Sequence, residues 1–130
     1  MGTTEWSLVT ADAREATRAR IAIRAFLVQQ ADAGKSDLDA AELIVGELVA
    51  NVIRHAPGAI GIYVSWKGHE AVLVVTDRGP GVPAVRCVPA RDAMSGRGLF
   101  LIQALARIVE IDAVPGHGSR VIVHLPVYRN

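Results

Sequence analysis

Between residues 38 and 53 the apolar positions recur every three to four residues. Leu38, Ala41, Ile44, Val45, Leu48, Val49, Val52 and Ile53 fall within one half of a helical circumference. The spacing predicts a helix capped by Ser36 or Asp37 and running to about His55 or Ala56. Pro57-Gly58 ends it, because proline cannot continue the hydrogen-bond ladder. Glu47, Asn51 and His55 stack at i, i+4 along one edge of the apolar half. A polar line beside a buried stripe suits a ligand pocket lying against the core. A surface helix with a polar edge gives the same pattern, so this segment alone does not decide.

The other elements follow from the same alternation. Glu5 to Thr10 predicts a short first strand. Asp12 is placed to cap a helix over about Ala13 to Gln30, with Ala16, Ala19, Ala22, Ile23, Phe26 and Leu27 inward. Arg14, Arg18 and Arg24 frame Ile21 and Val28 on the outward side, and Arg20 lies near the edge of the buried face. Arginines around branched apolar side chains suit a partner surface; a solvated face carrying incidental apolar residues is the simpler alternative. Ala59 to Trp66 alternates, with Ile60, Ile62, Val64 and Trp66 on one face. Ala71 to Asp77 is apolar on both faces and predicts a central strand paired to it through Lys67-Gly68-His69. Residues 84–95 read as a loop. A short helix is expected over roughly Leu99 to Arg107, and a last hairpin from Ile108 to Val114 and Ser119 to Val127.

Composition narrows the classes. At 130 residues the chain suits one domain, 1–130, and 51% hydrophobic residues allow a sizeable core. A net charge of +1 argues against nucleic acid as the main partner, since phosphate neutralisation needs a dense basic patch. Cys87 is the only cysteine, which excludes an internal disulfide or a cysteine zinc site. No signal pattern opens the sequence and no apolar run approaches a membrane span. A soluble protein of a reducing compartment, the cytoplasm, is expected, with no membrane partner.

Three glycine pairs mark the second half: Gly79/Gly81, Gly96/Gly98 and Gly116/Gly118. Glycine lets a ligand approach the backbone, and runs of amides in such turns can cradle phosphates. Gly96-Arg97-Gly98 would open a helix, where the dipole adds to that effect and Arg97 could offer a charged fork. Each pair alone is ordinary turn chemistry.

Their order is more specific. Glu47-x-x-x-Asn51, Asp77-x-Gly79-x-Gly81, Gly96-x-Gly98 and Gly116-x-Gly118-Ser119 resemble the ATP-binding pattern of the superfamily that holds gyrase, the ninety-kilodalton chaperone, histidine kinases and mismatch-repair ATPases. The resemblance covers nearly the whole chain. Within the superfamily, the string Glu47-Leu-Val-Ala-Asn51-x-x-Arg54-His55-Ala56 is most similar to bacterial anti-sigma-factor serine/threonine kinases.

The resemblance implies a role at each matching position. Asn51 would ligate Mg²⁺ through its amide oxygen, and Glu47 would act as general base. Arg54 and His55 would belong to the nucleotide site. Asp77 would accept from the adenine amino group, and Gly79 would keep the backbone clear of the purine. Gly81 to Ser95 would form a lid, and Gly96, Arg97, Gly98 and Leu99 would close on the phosphates. Ser119 stands where the family usually has threonine, and Phe100 stands where many histidine kinases have a third glycine. His55 is not expected to be a phosphoacceptor, because nothing here resembles a dimerisation helix pair. Arg14, Arg18, Arg20, Ile21 and Arg24 would meet a sigma factor and an anti-sigma-factor antagonist, with Arg20 touching both. A homodimer is compatible with the resemblance.

The expected fold is an α/β two-layer sandwich, a mixed and mostly antiparallel sheet with three helices on one face. The expected function is an ATP- and Mg²⁺-dependent serine/threonine kinase acting as an anti-sigma factor. Two alternatives remain: a nucleotide-gated binding module without phosphotransfer, and a catalytic fragment serving a separate histidine-bearing dimer.

Overall fold

The computed structural model describes residues 4–55, 58–77, 109–114 and 118–130; at 55, 109–114 and 119 only the backbone is described. Strand β1 (Glu5–Thr10) leads into helix α1 (Ala13–Val28), and helix α2 (Leu38–His55) follows. Strands β2 (Ile60–Lys67), β3 (Glu70–Asp77), β4 (Val109–Val114) and β5 (Gly118–Tyr128) complete the described elements. The sheet runs β1-β2-β3-β5-β4, and every pairing among these strands is antiparallel. The expected two-layer sandwich is therefore present, with β3 central. Two of the three expected helices are seen; the third, over residues 99–107, lies outside the described residues.

Capping chemistry explains where the helices start. Asp12 Oδ1 accepts from the amides of Arg14 at 2.8 Å and Glu15 at 3.4 Å, satisfying two of the orphan donors of α1. At α2, Asp37 Oδ1 accepts from the Ala40 amide at 2.9 Å. Ser36, the other expected cap, does something else. Its hydroxyl donates to the Tyr128 carbonyl at 3.0 Å and accepts from the Tyr128 amide at 2.9 Å, tying the inter-helix loop to β5.

The two helices cover one face of the sheet. Ala16, Ala19, Ile23, Phe26 and Leu27 of α1 meet Ala41, Ile44, Val45, Leu48, Val49 and Val52 of α2 over Ile62, Val64, Trp66, Leu73, Val75, Val123 and Leu125. The helical period thus places its stripe as expected, with Ala22 half-buried and Ala40 also buried. Removing the Leu48 side chain, which is 0% exposed, would cost about 2–5 kcal/mol. The sheet end carrying the β2–β3 turn is pinned by its own contacts. Arg129 lies over the Trp66 ring at 5.3 Å, and donates to the Gly68 carbonyl and to Gln30 Oε1. The opposite end carries the residues of chemical interest.

Candidate functional site

The two-residue period of β3 decides where Asp77 goes. Leu73 and Val75 face the helices, so Asp77 falls on that same covered face at the strand's last position. It is 5% exposed, a buried carboxylate in line with core side chains. Such a group is held only where polar partners meet it. Its strand neighbours in register are Ile60 of β2 and Ser119 of β5. Ile60 also follows the end of α2 by five residues, and five residues span at most about 18 Å. The end of α2 is thus one short connection away from the strand that pairs with the end of β3, and α2 packs on β3 and β5.

On α2 the polar edge is real. Glu47 and Asn51 are half-buried, beside Leu48 and Val52 in the core. Asn51 Oδ1 is fully buried and has no hydrogen-bond partner among the described residues. An unmade bond of this kind costs about 1–3 kcal/mol, so such an acceptor calls for a partner beyond the described residues. Arg54 is exposed one turn later, and His55 ends the helix.

Glu47 also lines a cavity of about 450 Å³ between the helices, with Arg20, Asp39, Glu42, Leu43 and Gly46. Gly46 forms its floor. A Cβ there would stand 3.4 Å from Arg20 Cδ, an ordinary contact, so the glycine widens the groove without being sterically required. Cross-helix ion pairs wall this groove. Arg20 bonds Glu42 at 2.5 Å, while Arg24 bonds Asp39 at 2.7 Å and Glu42 at 3.2 Å. The hydrogen bond that Arg24 donates to Asp39 raises the Arg24 pKa above its usual value, against an opposing effect of desolvation.

These pairs change the expected partner surface. Arg24, read from the sequence as outward with Arg14 and Arg18, instead reaches across to α2. Arg20 covers Gly46 and pairs with Glu42. Arg14 and Arg18 are exposed, as are Ile21 at 59% and Val28 at 53%. Leu43 of α2, not anticipated, is also exposed.

The structure thus brings Glu47 and Asn51 onto one helix edge and Asp77 and Ser119 onto adjacent strand ends. Gly79, Gly81, Gly96, Arg97, Gly98 and Leu99 lie outside the described residues. One residue escaped the sequence reading of the site. Gly118 has φ 91° and backs directly onto Asp77. The signal was there in Gly116-x-Gly118, but only Ser119 was carried over from it.

An antiparallel sheet covered on one face by helices is the α/β sandwich of the histidine-kinase type. The chain belongs to the histidine kinase-like ATPase domain family, whose pattern matches residues 9–125. It is 28% identical over 117 residues to an anti-sigma F factor of Clostridium kluyveri, covering 81% of each chain. Among solved structures it resembles the blue-light activated histidine kinase of Erythrobacter litoralis EL346, at TM-score 0.58 and 20% identity over 88% of this chain. The separate histidine kinase domain of that protein gives TM-score 0.57 at 20% identity. This chain spans 46% and 60% of those two structures. At such identity the likeness bears on the fold. No described helix is long and apolar enough to cross a membrane.

Proposed function

We propose that residues 1–130 form one ATP-binding domain, a cytoplasmic serine/threonine kinase that acts as an anti-sigma factor and phosphorylates a serine on an antagonist of that factor. The observation that supports this reading is Asn51 Oδ1, buried and without a hydrogen-bond partner among the described residues, one turn after a carboxylate on the helix that packs against the strand ending in Asp77. An amide oxygen is a hard donor, the kind Mg²⁺ takes. Among the described residues no three metal-ligating side chains cluster. A cation held by one protein oxygen would take water and phosphate oxygens as its other ligands. When bound, Mg²⁺ would neutralise charge on the nucleotide phosphates.

The chain's own residues divide the remaining work. Asp77 accepts from the adenine amino group. Glu47 takes the proton of the acceptor serine as the serine oxygen bonds to the γ-phosphorus, and the bond to the leaving ADP oxygen breaks. Arg54 and His55 would belong to the nucleotide site, Gly79 would keep the backbone clear of the purine, and Gly81 would open the lid. Gly96, Arg97, Gly98 and Leu99 would close on the phosphates, and Ser119 would supply the hydroxyl that the family usually takes from threonine. Arg14, Arg18 and Ile21 offer an exposed surface to the sigma factor and its antagonist, and Arg20 and Arg24 would join it by exchanging Glu42 and Asp39 for partner carboxylates. The relative named anti-sigma F factor supports this choice of partners.

Incubation with γ-labelled ATP, Mg²⁺ and candidate antagonists tests the proposal. Label on an antagonist serine is expected. ATP binding with no label on any antagonist would leave a nucleotide-gated binding module as the better reading.

A further inference from the structure

At the chemically active end of the sheet, β5 comes closer to β3 than side chains allow. Gly118 adopts φ 91°, in the left-handed region that glycine enters freely. A Cβ built on it would collide with the carbonyl oxygen of Asp77. It would also stand 3.0 Å from the Asp77 carbonyl carbon and 3.1 Å from Asp77 Oδ1. The other described glycines with positive φ behave differently: Gly58 and Gly68 have nothing within 4 Å of the same point. Gly118 therefore answers two demands, a backbone conformation and a close approach.

The group it would strike cannot easily retreat. Asp77 is held between two strands, opposite Ile60 on one side and Ser119 on the other. Gly118 is itself paired with Val114 of β4. A methyl group at 118 would force β3 and β5 apart by on the order of 1 Å. A charged hydrogen bond made at 2.7–2.9 Å does not survive such a displacement.

We infer that Gly118 is a positioning residue for Asp77. Its bare Cα lets β5 close on the Asp77 carbonyl and fixes the depth at which the carboxylate meets the purine, and so sets the preference for adenine over guanine. The inference rests on the reading of Asp77 as the adenine acceptor.

Titration calorimetry with Mg·ATP and Mg·GTP tests it, on the unmodified protein and on Gly118→Ala, Gly118→Asn, Gly68→Ala, Asp77→Ala and the Asp77→Ala/Gly118→Ala pair. Asparagine tolerates positive φ better than alanine, so the two variants at 118 differ in backbone strain but share the added Cβ. Both are expected to lower the ATP-over-GTP ratio about tenfold, as loss of a hydrogen bond to a charged group does. Gly68→Ala should leave the ratio unchanged. In the Asp77→Ala background, Gly118→Ala should cost nothing further, the signature of two residues acting as one unit. An unchanged ratio overturns the inference, as does an equal loss of both nucleotides. Failure of both variants to fold would assign Gly118 to the sheet alone and also overturn it. An unmodified protein that binds ATP and GTP equally would instead remove the reading of Asp77, whatever Gly118 does.

Discussion

Replacing Asn51 by leucine should make the protein more stable and less able to bind nucleotide. The argument starts from the buried Oδ1, which lacks a hydrogen-bond partner among the described residues. An apolar side chain removes that orphan and adds surface next to Leu48 and Val52, both core residues. Relief of an unmade bond is worth about 1–3 kcal/mol. Asn51 as a whole is only half-buried, so the lower end, about 1 kcal/mol, applies. For a chain of this size that raises the melting temperature by about 3–5 °C. With Mg·ATP present the order should reverse. A ligand at a hundred times its Kd stabilises the unmodified protein by about 2.7 kcal/mol, and the variant forgoes this. Thermal melts of both proteins, with and without Mg·ATP, read the two effects side by side. A lower melting point for nucleotide-free Asn51→Leu would show that the amide oxygen is satisfied without a ligand. A full nucleotide-induced shift in the variant would remove Asn51 from the site.

Three further outcomes are expected. Glu47→Ala should keep ATP affinity within a few-fold and lose transfer of the γ-phosphate to an antagonist, measured by label; transfer at the normal rate would end the base assignment. Asp77→Ala should weaken ATP binding by about 2–3 kcal/mol, read by calorimetry, while circular dichroism stays that of the folded protein. Arg20→Ala and Ile21→Asp should weaken capture of a sigma factor or antagonist in a pull-down and leave ATP affinity intact. Arg20 and Glu42 keep side-chain exposures of 43% and 27%, so losing their ion pair should cost about 0.2–1 kcal/mol. A larger drop in melting point with unchanged capture would make Arg20 a brace between the helices.

What the sequence carried well were features set by local periodicity and local chemistry. The apolar stripe of α2, the Asp12 cap and the Ile60-Ile62-Val64-Trp66 face of β2 each depend on residues close in sequence, and each forms as read. The central place of β3 followed from its two apolar faces. Contacts between distant segments were not legible. Arg24 pairs with Asp39, fifteen residues away, and no helical period within α1 could announce that. Ser36 looked like a cap, yet its hydroxyl serves Tyr128 on β5, ninety-two positions on. At the site, the i, i+4 line of Glu47 and Asn51 was visible because it is local. The approach of Gly118 to Asp77 was not, because it exists only once β3 and β5 pair.

Calorimetric titration of the unmodified protein with ATP and GTP, each with and without Mg²⁺, tests the central claim most directly. ATP should bind more tightly than GTP, because guanine presents a carbonyl where adenine offers an amino group to Asp77, and omitting Mg²⁺ should weaken ATP binding. Equal affinities for the two nucleotides, or ATP binding indifferent to Mg²⁺, would contradict it.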